Sequence, residues 1–279
     1  MKSISRDKIL ESNQKVHSLL VKSGDYQQSP HFKEENQTKV RSILKKLAGS
    51  LPSTIRMVDF GCGTGFIINL SKDLFDEVHG VDITPEMMAL IDTSSNNVIL
   101  TESTAEQTPY PNEYFEFATA YSFMDHLEDL ENFLVEVYRV LQKGGVFYSD
   151  LNPNREFIQT MSQLEANEEA TSPLMQREIK AALHNGEHYA QEYGIDPETL
   201  ECAEPIKTVE KGFLAKDITR VAKKVGFSDC RIELDWYVDQ GTIIHQHSIQ
   251  AAEEIDSYLR SILPMSAHLF KYIRIVLTK

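Results

Sequence analysis

Asp59, Gly61, Gly63 and Gly65 stand at alternate positions of the run Val58-Asp-Phe-Gly-Cys-Gly-Thr-Gly65. Glycines at this density let a backbone approach a bound molecule where a Cβ would clash. Residues 55–58 are apolar and partly β-branched, so they predict a buried strand that Asp59 ends. After the glycines, Ile67, Leu70 and Leu74 recur at helical spacing and predict a helix over 66–74. A strand, a glycine turn and a helix make a nucleotide-binding corner. The helix start supplies free N–H groups and a positive dipole end. Asp82 ends a second strand, predicted over 78–81, roughly twenty residues past the loop. A carboxylate at such a strand end meets the ribose hydroxyls of a bound nucleotide. The plainer alternatives are an ordinary tight turn and an acid that merely starts a helix.

Two common nucleotide signatures are absent. A dinucleotide G-x-G-x-x-G would need a third glycine where Phe66 stands, and no Gly-Lys-Ser/Thr ends a phosphate loop. The spacing D-x-G-x-G-x-G resembles instead motif I of the class I S-adenosylmethionine (SAM)-dependent methyltransferases. Val81-Asp-Ile-Thr-Pro-Glu-Met-Met88 looks like the second motif of that family. The resemblance implies a cofactor site built from Asp59, Gly61, Cys62, Gly63 and Gly65. Asp82 would accept from both ribose hydroxyls, and Ile83 would pack on the adenine with Met87 in the same wall. Thr84 would cap the following helix, which Pro85 opens. Cys62 reads as a small loop filler and not as a nucleophile.

Later segments keep the family's order. A third strand over 98–100 leads into Ser103–Pro111, similar to the segment that closes over adenine. Thr104 stands where many members carry an acid, so adenine contacts fall to Thr104, Ala105, Glu106 and backbone groups. A fourth strand is predicted over 115–121. The resemblance places its end, with Tyr121 and Ser122, beside the methionine part of SAM and the reactive methyl. His126 follows and is the first candidate for a general base. An amphipathic helix over 129–141 carries Leu130, Phe133, Leu134, Val137, Tyr138 and Leu141 on one face. The stretch Arg139–Asp150, with a glycine stop and a fifth strand over 146–150, resembles the family's post-helix signature. The resemblance covers 55–150 well and is weaker beyond.

These elements imply an α/β fold: a Rossmann-like, seven-stranded, mostly parallel sheet flanked by helices. An N-terminal helical cap is expected over 1–50 and the SAM-binding core over 51–154. A helical insertion that caps the substrate follows over 155–210. The rest of the core runs over 211–279, with its own insertion at about 239–268. Gly226-Phe227 stops a helix over 216–225. Ile232, Leu234, Trp236 and Val238 alternate onto one strand face over 230–238, and 271–278 is a final strand. The long connection between these strands is a candidate second pocket wall or homodimer contact.

Candidates outside the core are fewer. Tyr26 lies in a turn-rich link between two N-terminal helices, where related enzymes place a Tyr near the cofactor's carboxylate. His188 is a weaker second base, beside Tyr189. His184 and His188 stand at i, i+4, but Gly186 between them argues against a helix and so against a metal pair. His245 and His247 would share a strand face without a third ligand. No metal is expected. The insertion carries Glu165, Glu168, Glu169, Glu187 and Glu192, a sign that does not attract an anionic substrate.

Composition narrows the acceptor. The 279 residues carry a formal charge of −14, which opposes binding to polyanions held by Lys and Arg. The fourth strand also lacks the Asn/Asp-Pro-Pro-aromatic turn expected for methylation of base amino groups. Three cysteines without zinc spacing suit a reducing cytoplasm. No apolar run approaches a membrane span, and the first residues lack an apolar signal region. The expected activity is in-line methyl transfer from SAM, which becomes S-adenosylhomocysteine, to a small-molecule acceptor. The alternatives are methylation of RNA or protein, and a SAM-binding protein with a non-methylating role.

Overall fold

The computed structural model describes residues 4–24, 32–167 and 172–279, with Asn185 and His188 described by backbone only. The expected Tyr26 contact and the acids Glu168 and Glu169 lie outside the described residues. Seven strands form one sheet in the order β3-β2-β1-β4-β5-β7-β6. They are β1 (Arg56–Phe60), β2 (Glu77–Asp82), β3 (Val98–Glu102), β4 (Phe115–Tyr121), β5 (Leu141–Pro153), β6 (Asp229–Tyr237) and β7 (Phe270–Thr278). All neighbouring pairs are parallel except those of β7, which runs antiparallel to β5 and β6. This is the expected Rossmann-like α/β fold.

Side chains along the central strands supply two cores, one on each face. Val58 and Phe60 of β1 face the helices α5 (Leu130–Val140) and α11 (Ala215–Val225). Met57, one residue out of phase, faces α2 (Glu34–Ala48) and α3 (Phe66–Ser71). Every residue of β4 is buried, as a strand covered on both faces requires. A buried ionic network fastens α2 to the far edge of the sheet. Arg274 of β7 donates to Asp150 at 2.7 Å and Asp235 at 2.6 Å, and Lys39 of α2 donates to Asp235 at 2.6 Å.

Several local expectations shift. β1 continues through Asp59 to Phe60, because the strand stays paired with both neighbours up to Asp59. The helix after the glycines stops at Ser71, whose hydroxyl bonds back to the Ile67 carbonyl at 2.6 Å. Trp236 takes φ +55, so the alternation of β6 breaks before Val238 and the strand ends at Tyr237. His245 and His247 do not lie on a strand. His245 is in α12 (Gln240–Gln246) and His247 caps its C-terminus. Gly186 does not break the chain: it lies in the first turn of α8 (Asn185–Tyr193), where a missing side chain costs least. His184 sits between α7 (Pro173–Leu183) and α8, with Nε2 2.5 Å from Glu165 and Nδ1 3.3 Å from Glu187. These carboxylates raise its pKa above the usual histidine range.

The two additions to the core meet over the C-terminal ends of the strands. α1 (Arg6–Ser23) lays Val16 and Leu20 against Ile195, Leu200 and Ala203, the last two from α9 (Pro197–Ala203). α6 (Arg155–Ala166) and α7 pack on each other through Phe157, Ile158, Met161 and Ile179. α10 (Pro205–Thr208) follows α9 and returns the chain towards the core. No described helix is long and apolar enough to cross a membrane.

Candidate active site

β1 and β4 are neighbours whose following connections leave to opposite sides of the sheet, which opens a crevice at their C-terminal ends. A cavity of about 930 Å³ occupies this place. Its floor is the glycine loop. Gly61 has φ +67, and a Cβ there would lie 2.1 Å from the Phe123 ring, so only glycine fits. Gly63 has φ +52 and donates its N–H to Asp82 Oδ2 at 2.8 Å. The Thr84 N–H donates to Asp82 Oδ1 at 2.9 Å. Asp82 therefore fixes the loop as well as facing the cavity. Burial pushes its carboxyl up, and the N–H groups of Gly63 and Thr84 oppose that shift. Thr84 stands at the N-cap as expected, but its side chain makes no capping bond.

Asp59 lines the same cavity from the end of β1. Thr119 Oγ1 donates to its Oδ1 at 2.7 Å. Burial pushes its pKa up to about 8, opposed by the Thr119 bond and reinforced by the charge of Asp82. Cys62 is buried in the loop wall, and burial raises its thiol well above the usual range, as suits a filler. Gly65 is set back from the cavity: it takes φ +85 at the N-cap of α3, against Ile91.

Ile83, Met87, Thr104, Ala105 and Glu106 form the side wall expected to receive adenine. α1 closes over it. Arg6 donates to Thr104 Oγ1 at 3.2 Å and pairs with Glu106 at 3.5 Å. Gln14 Nε2 donates to the Ile83 carbonyl at 2.6 Å. At the other end, the Tyr121 hydroxyl accepts from Asn36 Nδ2 at 2.9 Å, and its ring lies 4.9 Å from that of Phe66. Burial raises the Tyr121 phenol far above its ordinary value. Ser122 takes φ +51 and donates its N–H to the Asp150 carbonyl at 3.0 Å, which turns the chain away from β4.

His126 ends a short 3-10 turn, Met124–His126, and lines the cavity. Its Nδ1 is 2.8 Å from the Ala203 carbonyl. A carbonyl only accepts, so Nδ1 carries a proton, and in the neutral tautomer the lone pair lies on Nε2. That Nε2 lies 4.0 Å from Asp125 Oδ1. The His17 ring meets His126 edge-on at 5.1 Å. Burial and the neighbouring His126 lower the His17 pKa to about 3, so His17 is neutral. The other candidate base, His188, belongs to α8, and its side chain lies outside the described residues.

A cap over 1–50 was expected, but the residues that form its roof escaped the sequence reading. Leu10, Asn13 and His17 of α1 line the cavity, together with Phe32, Phe66 and Phe123. A signal was present: Leu10, Asn13, Gln14 and His17 stand at i, i+3, i+4 and i+7, so one helical face carries amide and imidazole groups. The residues fit SAM on structural grounds. The glycine loop presents bare backbone to the cavity, and the carboxylates of Asp59 and Asp82 both line it.

Comparison with known proteins agrees with this geometry. Residues 58–149 match a family described as a methyltransferase domain. A demethylmenaquinone methyltransferase of Chlorobaculum parvum is 31% identical over 94 residues, 33% of this chain and 39% of that protein. An uncharacterized methyltransferase of Bacillus subtilis, YcgJ, is 31% identical over 97 residues, 33% of this chain and 38% of its own. The chain thus spans about two fifths of the length of these relatives. The crystal structure of the YcgJ protein superposes with a TM-score of 0.52 at 15% identity, over 87% of this chain and 98% of that one. At that identity the likeness is one of fold. Residues 58–149 thus carry a methyltransferase domain of the SAM-dependent kind.

Proposed function

We propose that this chain transfers the methyl group of SAM to a small-molecule acceptor. One observation carries the reading: the Gly61–Gly63 cradle tied to Asp82 opens into the same roofed cavity as Tyr121, Phe123 and His126. Bound SAM supplies a methyl group already activated for displacement. The chain's own task is to align a nucleophile with that methyl and to exclude water. α1, packed against α9, covers the cavity, and the aromatic rings at its end favour a compact, partly apolar acceptor over a polymer. The charge of −14 also opposes a nucleic-acid acceptor. The names of several relatives refer to menaquinone, ubiquinone and malonyl-[acyl-carrier protein] methylation, which is compatible with such an acceptor. His126 Nε2 is assigned the acceptor's proton, because Nδ1 is committed to Ala203 and the ring lines the wall. Three free thiols fit a reducing cytoplasm.

The test is incubation of the full chain with methyl-labelled SAM and a fractionated extract of the source organism. Label in the small-molecule fraction is expected. Label in RNA or protein would replace the acceptor class. SAM binding without transfer in any fraction would favour a non-methylating role.

A further inference from the structure

At the cavity wall, where His126 lies, Asp125, His126 and Glu204 bring three acceptor atoms together, all within 4.8 Å of one another. Nothing in the proposed methyl transfer uses this trio as a unit. In its neutral form His126 presents a lone pair at Nε2, since Nδ1–H is spent on Ala203. Asp125 is 8% exposed, and its Oδ1 is buried with no hydrogen-bond donor in reach among the described residues. That oxygen points at the Nε2 lone pair from 4.0 Å. Two acceptors facing each other in a buried site lack what either needs, a cation or a donor between them. Lys207 Nζ pairs with Glu204 Oε2 at 2.6 Å and acts on Asp125 through its charge, but no hydrogen bond joins it to Asp125 Oδ1.

We propose that Asp125, His126 and Glu204 form a binding site for one divalent first-row transition metal ion, of the Zn²⁺, Co²⁺ or Mn²⁺ class. The size is right. Three ligand atoms about 2.1 Å from one ion lie roughly 3.4–3.6 Å apart, so the trio, now within 4.8 Å, closes by about 1 Å on binding. The donor set selects the class. One imidazole nitrogen with two carboxylates suits these ions, whereas Ca²⁺ and Mg²⁺ favour all-oxygen sites. Outer partners are in place as well. The Ala203 carbonyl fixes the imidazole tautomer, and Lys207 orients the second oxygen of Glu204. His17 and Lys207 are the neighbouring nitrogen groups, and Lys207 leaves the trio with net negative charge for the ion to neutralise.

The position gives the ion a definite effect. Asp125 and His126 belong to the core, just after β4, whereas Glu204 lies at the junction of α9 and α10 in the cap. A bound ion pins the cap to the core. It also takes the one lone pair through which His126 accepts a proton, so metal occupancy and base function exclude each other.

The experiment needs no acceptor, so its outcome is independent of the proposed activity. The full chain is freed of metal with a chelator and titrated with Co²⁺, followed by visible absorbance and calorimetry. One Co²⁺ per chain is expected, with affinity at least about tenfold weaker in Asp125→Asn and in Glu204→Gln. Glu165→Gln, at the exposed His184 cluster, should leave it unchanged. Retained SAM binding shows that each variant is folded. Should a variant not fold, hydrogen exchange of the wild-type chain decides: Zn²⁺ should protect residues 124–127 and 203–208. Absence of stoichiometric binding, wild-type affinity in both variants, or protection confined to other segments would overturn the site.

Discussion

SAM affinity should rise with pH between about 6 and 7.5, because Asp59 must lose a proton to meet the positive charge of the cofactor. Asp59 is buried at the end of β1 with a single hydroxyl donor, Thr119 Oγ1 at 2.7 Å, and its pKa is raised to about 8. At pH 7 roughly one carboxyl in ten is ionised, and at pH 6 about one in a hundred. The cofactor's ammonium stays protonated below about pH 7.7, so its own titration does not enter this window. If only the ionised form holds it, the association constant climbs about tenfold per pH unit, or about 1.4 kcal/mol. Calorimetry in buffers of different ionisation heat measures both the slope and the proton released. Asp59→Asn keeps the hydrogen bond from Thr119 but cannot ionise, so its affinity should be weak and flat with pH. A flat wild-type profile, or an Asn variant that keeps the slope, would refute the argument. Stability moves the opposite way. The folded pKa lies above the unfolded one, so this group's contribution is full below about pH 4 and is lost as pH rises towards 8. Asp59→Asn should therefore melt higher than the wild type near pH 7.5 in the absence of cofactor.

Three further outcomes test the loop and the roof. Gly61→Ala places a Cβ 2.1 Å from the Phe123 ring at φ +67, so SAM binding should vanish in calorimetry even if the chain still melts cooperatively. Asp82→Ala removes the acceptor for the Gly63 and Thr84 N–H groups and the expected ribose contact, and should weaken SAM binding by about 1–3 kcal/mol. Unchanged affinity would move the ribose elsewhere. Leu200→Ala empties the seam between α1 and α9, where Leu200 is 4% exposed, and should cost about 2–5 kcal/mol. The loss should appear as faster hydrogen exchange in α1 and α9, with the strands unaffected; uniform acceleration would mean that the cap is not a separate unit.

The core was legible because its constraints are local. A glycine loop between a strand and a helix, and Asp82 one strand later, state their geometry in consecutive residues, and Asp82 does reach back to Gly63. β4 could be bounded at both ends because, Glu116 apart, the run is apolar or small, as a strand covered on both faces requires. The roof obeyed no such rule. Asn13 and His17 look like an ordinary polar helix face until Leu200 and Ala203, about 180 residues away, bury the opposite side. Gly186 misled for a related reason: propensity weighs against glycine in a helix, but packing and a first-turn position outweigh it. Asp125, His126 and Glu204 were invisible as a group because the third member approaches only through the return of the chain at α10.

The division of labour within α1 explains why an N-terminal addition and a late insertion must act as one device. Its polar contacts to the cofactor wall, Arg6 to Glu106 and Gln14 to Ile83, are exposed, and exposed pairs of this kind contribute about 0–1 kcal/mol each. They cannot hold a helix over an open cavity. The holding force comes from Val16 and Leu20 against Ile195, Leu200 and Ala203, all of them buried. The same insertion residue, Ala203, supplies the carbonyl that fixes the tautomer of His126. Undocking the insertion would therefore loosen the adenine roof and release the imidazole in a single movement. On the proposed reading, cofactor exchange and the loss of an oriented proton acceptor are coupled, and a chain lacking the insertion would need another way to keep α1 in place.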